Sequence, residues 1–268
     1  MPFAPIRDLE MYYERAGAGP RLLFLNGSGG DLRVRPGPFQ GPLGEHFDLL
    51  AHDQRGLGRT SKPEAAFSMA DYAADAAALL DHVGWERCRV IGVSFGGMVA
   101  QELAVQHPQR VERLVLCCTS PGGRGGSSYP LHELQVLSEE ERGIRSLELS
   151  DQRMDAAWRA AHPEALERVE KMMEARAAVG AGEPDRERGA RMQLEARRHH
   201  DVIDRLPAAN MPTLVCAGRY DGIAPLPNSE AIAGALPDAT LEVFEGGHMF
   251  LLQDPRANER IVDFLSGD

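Results

Sequence analysis

The stretch with the clearest chemistry in this 268-residue chain is Gly92-Val93-Ser94-Phe95-Gly96. It lies where a short apolar run ends and a helical pattern begins. That context predicts a tight strand–turn–helix bend with the serine at its apex. Such a bend holds the serine in a strained backbone conformation and projects its Oγ away from the sheet. Gly92 and Gly96 lack the Cβ atoms that would clash there. The helix N-terminus behind Ser94 favours the negative charge that develops during attack on a carbonyl. The competing reading, a chance serine in a strand–helix turn, does not explain the paired glycines.

A serine hydroxyl is a poor nucleophile without a base. Of nine histidines, His248 is the best placed, in the loop Phe244-Glu-Gly-Gly-His-Met-Phe after the last expected strand. In a parallel sheet that loop opens at the same edge as Ser94. His46, His52, His82 and His107 fall on strands or near element ends. His132, His162, His199 and His200 fall in a helical middle segment, and the adjacent His199 and His200 point apart on a helix, so a solvated face is expected there rather than a metal site. The base needs a carboxylate to fix its tautomer. Asp221, in AGRYDGIAP directly after the run TLVCA, fits; the alternative for a lone Asp in such a loop is an Asx turn. Acyl transfer also needs donors for an oxyanion. The Phe95 amide is one candidate. Asn26-Gly27-Ser28-Gly29-Gly30 offers a second, at Ser28 or at Gly27. Losing one such donor typically raises a barrier by about 3–4 kcal/mol.

The elements that must carry these residues alternate along the chain. Arg21–Leu25 (RLLFL), 46–51 (HFDLLA), 89–93 (RVIGV), 113–118 (RLVLCC), 213–217 (TLVCA) and 240–244 read as buried strands. Between them lie helical patterns. One follows a capping box at Ser68-Met-Ala-Asp71 and stops near Gly84, another spans 96–106 and ends before Pro108, and others cover 228–236 and 255–265, the last capped by Asp254. Buried strands alternating with helices predict an α/β architecture with a parallel sheet covered on both faces. From 122 to 207 no strand is expected; Gly/Ser-rich linker residues and charged helical patterns fill the segment, among them 151–161, Pro163–Ala178 and 185–204. The expected organisation is a core domain from 1–121 and 208–268, with 122–207 inserted as a helical cap.

Composition narrows the partners. A net charge of −11 repels phosphate backbones, which argues against nucleic acid. No apolar run reaches the roughly 20 residues that span a bilayer. The first ten residues lack the basic and apolar regions of a signal peptide, so a cytoplasmic location is the default expectation. Cys88, Cys117, Cys118 and Cys216 fall in or beside strands and lack metal-site spacing. They read as reduced core thiols rather than a redox pair. No metal ligand set stands out.

Taken together, NGSGG, DQRGLGRTS from Asp53 to Ser61, GVSFGG, GRYDGIAP and GGHMFLLQDP make the chain similar to α/β-hydrolase-fold enzymes along nearly its whole length. The resemblance implies an eight-stranded, mostly parallel sheet, a helical cap, no cofactor, and structural roles for Asp53 and Arg55. The order Ser94, Asp221, His248 also matches that fold. An alternative acid after the strand that follows the elbow would fall in Cys117-Cys118-Thr119-Ser120, which offers no carboxylate. Asn26-Gly27 departs from the family's frequent His-Gly. A serine nucleophile separates the chain from dehalogenases and epoxide hydrolases, and the absence of a HGGPG-type loop from proline iminopeptidases. It most resembles small esterases and 3-oxoadipate enol-lactonase-like hydrolases.

The expected activity is therefore hydrolysis of a small-molecule carboxylic ester or lactone through an acyl-enzyme. Three alternatives share the triad: carbon–carbon bond hydrolysis of a vinylogous diketone, cofactor-free haloperoxidase or perhydrolase chemistry, and a ligand receptor that stalls after one turnover. Monomer and homodimer are equally compatible with the sequence. Pocket candidates are Met98, Trp158, Met172 and Met249, with Met173, Met192, Phe95 and Phe250 beside them. Helix packing is the alternative for each. Arg197 and Arg198 are candidates to meet a substrate carboxylate, against the alternative of a solvated helix face.

Overall fold

A computed structural model describes residues 2–267, Gln135 by its backbone alone. Residues 1 and 268, the outermost of the expected core, lie outside this range. The strands are β1 (Phe3–Ile6), β2 (Leu9–Ala16), β3 (Arg21–Leu25), β4 (Asp48–His52), β5 (Cys88–Val93), β6 (Val111–Cys117), β7 (Thr213–Gly218) and β8 (Ala239–Phe244). They form one sheet in the order β1-β2-β4-β3-β5-β6-β7-β8. The pairs β1–β2 and β2–β4 are antiparallel; every other pair is parallel. The expected eight-stranded, mostly parallel sheet is present.

The helices are α1 (Pro42–His46), α2 (Met69–His82), α3 (Phe95–Gln106), α4 (Glu139–Ser150), α5 (Ala156–Ala161), α6 (Pro163–Ala178), α7 (Arg186–Arg198), α8 (Leu226–Ala235), α9 (Phe250–Gln253) and α10 (Pro255–Ser266). Alternation along the strands sorts the core into two layers. Leu23 and Leu25 of β3 pack with α2, α3 and α8, while Leu22 packs with the buried side of α10. All six residues of β7 are buried, as a strand covered on both faces requires. The four cysteines are buried and unpaired, as expected. No helix of the described residues is long and apolar enough to cross a membrane.

The structure differs from expectation at several elements. The strand expected at 46–51 begins at Asp48, because 42–46 is a short helix whose C-cap, Phe47, turns extended. Neither β1 nor β2 was individually located: β1 is short and carries Pro5, tolerated there because it is an edge strand. Between β6 and β7 the described residues contain four α-helices, short 3-10 turns and a single isolated bridge, Gly122 to Asp201. The helix expected over 151–161 forms only from Ala156. Asp151 instead folds a turn onto the Arg153 amide, and Asp155 caps the helix on the Trp158 amide. The pattern at 185–204 ends at Arg198. α4 went unread, although Ser138 and Glu141 form a full capping box at its start.

Candidate active site

Ser94 sits between β5 and α3 with φ 54° and ψ −116°, the left-handed strain expected of the bend. Its amide donates to the Cys117 carbonyl at 2.8 Å, and its carbonyl accepts from the Thr119 hydroxyl at 2.8 Å. A Cβ on Gly92 would run into the Gly96 carbonyl, and one on Gly96 into the Leu25 carbonyl. A Cβ on Gly97 would come within 2.6 Å of Thr119 Cβ. The bend therefore closes only with glycines at these three positions.

His248 and Asp221 arrive at the same edge of the sheet, on the loops after β8 and β7. His248 Nε2 lies 2.9 Å from Ser94 Oγ, and its Nδ1 lies 2.7 Å from Asp221 Oδ2. The other Asp221 oxygen accepts the Ile223 and Ala224 amides at 2.7 and 2.9 Å. These bonds aim the carboxylate, whose side chain is fully buried. An ionised carboxylate only accepts, so the network assigns the imidazole proton to Nδ1 and leaves Nε2 to accept from the serine hydroxyl. The His248 amide donates to the Ser150 carbonyl at 2.6 Å, an approach that a Cβ on Gly247 would block.

The Asn26–Gly30 loop, the candidate oxyanion loop, lies against Ser94: a Cβ on Gly27 would stand 3.6 Å from Ser94 Cβ. The Gly27 amide is engaged by Asn26 Oδ1 at 3.0 Å, and the Gly29 amide by Gln193 Oε1 at 2.9 Å. Among the described residues, the Ser28 and Phe95 amides donate to no protein acceptor. Of the two loop candidates, Ser28 thus has the open donor and Gly27 does not. Arg176 donates to the Ser28 carbonyl at 3.2 Å from the opposite side.

Sequence reasoning missed Cys118 as a neighbour of this site. Its sulfur, an Asp221 oxygen and a His248 nitrogen lie within 4.8 Å of one another. Burial pushes the thiol well above its usual range, with the Asp221 charge adding to the effect. A thiol must ionise to bind metal, so the cluster reads as a neutral thiol packed beside the His–Asp pair. The signal was its position: Cys118 directly follows the strand after the elbow. Asp53 and Arg55 are structural in position. Buried Asp53 accepts the Leu32 and Arg59 amides, and Arg55 faces Asp8 and Asp75.

The pocket candidates scatter. Met98, one turn after Ser94, is 3 % exposed and borders a cavity of about 90 Å³. Met249 is half-buried beside His248, while Phe95 and Phe250 are core residues, Phe95 edge-on to Tyr72 and Phe250 stacked on Phe244. Trp158 stacks on His162, and Met192 is half-buried on α7. Met172 and Met173 lie on exposed faces of α6, which buries no residue, so the structure does not bring them to the site. Arg198 is exposed and Arg197, one residue earlier, is buried, and both border the cavity. His199 is exposed as expected, but His200 is buried. Burial drives its pKa down to about 4, with Glu102 4.0 Å away opposing the shift.

Residues 20–255 match the family model described as the alpha/beta hydrolase fold. The chain belongs to that family and is a hydrolase. It is 29 % identical to a putative carbamate hydrolase of Variovorax paradoxus (strain S110), over 96 % of this chain and 97 % of that one. It is 25 % identical to a 3-oxoadipate enol-lactonase of Acinetobacter baylyi, over 96 % and 93 % respectively. A solved structure described as an N-acyl homoserine lactone degrading enzyme superposes with a TM-score of 0.74 at 28 % identity, covering 98 % of this chain and all of that one.

Proposed function

We propose that the protein hydrolyses a small carboxylic ester or lactone through a covalent intermediate on Ser94. The observation that carries this reading is the continuous chain Asp221–His248–Ser94, with bonds of 2.7 and 2.9 Å, ending beside two unengaged amides. Ser94 Oγ attacks the carbonyl carbon while its proton passes to His248 Nε2. The resulting oxyanion is held by the Phe95 and Ser28 amides. His248 then returns the proton to the leaving alkoxide as the carbon–oxygen bond breaks. A water, deprotonated by His248, attacks the acyl-serine and frees the acid, and Ser94 recovers its proton. Asp221 keeps Nδ1 protonated and offsets the imidazolium charge throughout. With a lactone, the leaving alcohol stays attached to the acyl chain. The lactone arm of the proposal is supported by two similar proteins described as a lactonase and a lactone-degrading enzyme.

Residues 122–207 would act as the cap over this site. Their role is supported by two contacts with the oxyanion loop, from Arg176 and Gln193. Short-chain p-nitrophenyl esters and simple lactones, with Ser94→Ala as control, test the reading. Multiple turnover by the wild type and a loss of about 10⁶-fold in kcat for the variant are expected. A fluorophosphonate that fails to label Ser94 would overturn it. Labelling without turnover would redirect it to carbon–carbon hydrolysis or to a receptor.

A further inference from the structure

Arg197 and Arg55 are both buried, at 7 % and 4 % exposed, yet they are partnered in opposite ways. Arg55 faces the carboxylates of Asp8 and Asp75. Arg197 has no acidic partner among the described residues. Its Nη2 donates to the Tyr129 carbonyl at 2.8 Å, its Nη1 makes no hydrogen bond, and its Nε is buried without one. Burying a guanidinium without an opposing charge costs free energy that the fold does not recover. The cavity it lines contains Arg198, His132, His200, Ser120 and Ser128 but no carboxylate, and both ring nitrogens of His200 are unpartnered. The nearest acidic group to His200, Glu102, is already bound by Arg205.

The cavity is anchored to the reacting serine. Met98, which lines it, lies four residues after Ser94 and donates its amide to the Ser94 carbonyl at 3.3 Å. Ser120 adjoins Thr119, whose hydroxyl holds the Ser94 carbonyl. Tyr129, the acceptor for Arg197, donates its own amide to Ile223 in the loop that carries Asp221. About 90 Å³ is several times the roughly 10–15 Å³ that admits one water, enough for a small polar group such as a carboxylate.

We propose that Arg197 binds a carboxylate at one end of the substrate, so that the ester or lactone this enzyme cleaves is an anionic one. The inference rests on the hydrolase reading above and names the substrate class for it. Nη1, which no protein group among the described residues engages, offers the donors that a carboxylate fills.

Matched esters test it. On the acyl side the pair is p-nitrophenyl hexanoate and p-nitrophenyl hydrogen adipate; on the alcohol side it is phenyl acetate and 4-carboxyphenyl acetate. The wild type should prefer the anionic member of one pair by at least about tenfold, expressed in KM. Arg197→Gln should lower the ratio of kcat/KM, anionic over neutral, by about 10–100-fold, the range for a hydrogen bond to a charged group. Arg197→Lys should restore part of it. Wild-type indifference in both pairs, or an unchanged ratio in Arg197→Gln, would overturn the inference. A parallel readout needs no turnover: adipate should raise the melting temperature of Ser94→Ala and not of the Ser94→Ala, Arg197→Gln double variant. That arm also separates the two readings. Absent ester turnover with adipate stabilisation intact would fault the hydrolase mechanism alone, and turnover without any Arg197 effect would fault the carboxylate site alone.

Discussion

The loops at the ends of β5, β7 and β8 and the helical segment between β6 and β7 are built on different terms. In the first, nearly every polar group is committed. Both Asp221 oxygens are engaged, the Ser94 amide and carbonyl are held, and glycines stand where a Cβ would collide. In the second, the 16-residue α6 buries nothing and α4 only Leu147 and Leu149. Reaction geometry needs groups held to within about 0.5 Å, so it sits where the sheet over-determines position. Under the proposed function, substrate choice falls to the helical segment, a looser scaffold, and there the chain leaves buried polar atoms open on Gln193, Arg197 and His200.

The sharpest way to break this contrast is at its tightest point. Asp221→Asn keeps the shape but reverses the demand on Nδ1, and kcat should fall by about 10⁴-fold with the melting temperature little changed. A loss under tenfold would mean that another group orients His248. A smaller effect compares the regions through acid. His52 ends β4 and His200 follows α7; burial drives both pKa values down to about 4. Each binds its proton more readily when unfolded, so its stabilising effect is complete above about pH 6.5 and lost as pH falls towards 4. The loss is up to roughly 3 kcal/mol each. Urea unfolding from pH 7.5 to 4 should show a shallower decline in His52→Phe and in His200→Gln; an unchanged slope in either would show that its histidine opens to water before unfolding. The smallest effect belongs to α6. Met172→Ala should shift unfolding free energy by less than about 0.5 kcal/mol, as measured in urea. A larger cost would mean that α6 packs against something.

The site was more legible than the surroundings because its residues announce themselves locally. A bend that tolerates only glycine beside Ser94, and loops that place Asp221 and His248 directly after strands, leave marks in sequence. The opening of α4 was equally marked, by Ser138 and Glu141, and still passed unread. Other features leave little or no local mark. Cys118 carries only the mark of its position after β6, and its approach to His248 depends on the register of β6 on β5 and β7. Whether Arg197 or Arg198 turns inward depends on the rotation of α7 about its axis, and adjacent charged residues on a helix look alike until that rotation is known. Met172 erred the other way: an apolar residue on an amphipathic pattern suggests burial, but α6 has no partner for that face.

The segment from Leu149 to Gln152 is bonded into both loops of the His–Asp pair. The Leu149 carbonyl accepts from Gly222, the Ser150 carbonyl from His248, and the Gln152 amide donates to Tyr220. For anyone recombining parts of related enzymes, this moves the seam. A chimera that exchanges everything between β6 and β7 would carry away a strut of His248, the proposed base, together with the helices proposed as the cap. The exchangeable module begins after Gln152, and a donor sequence spliced there inherits a base already in place.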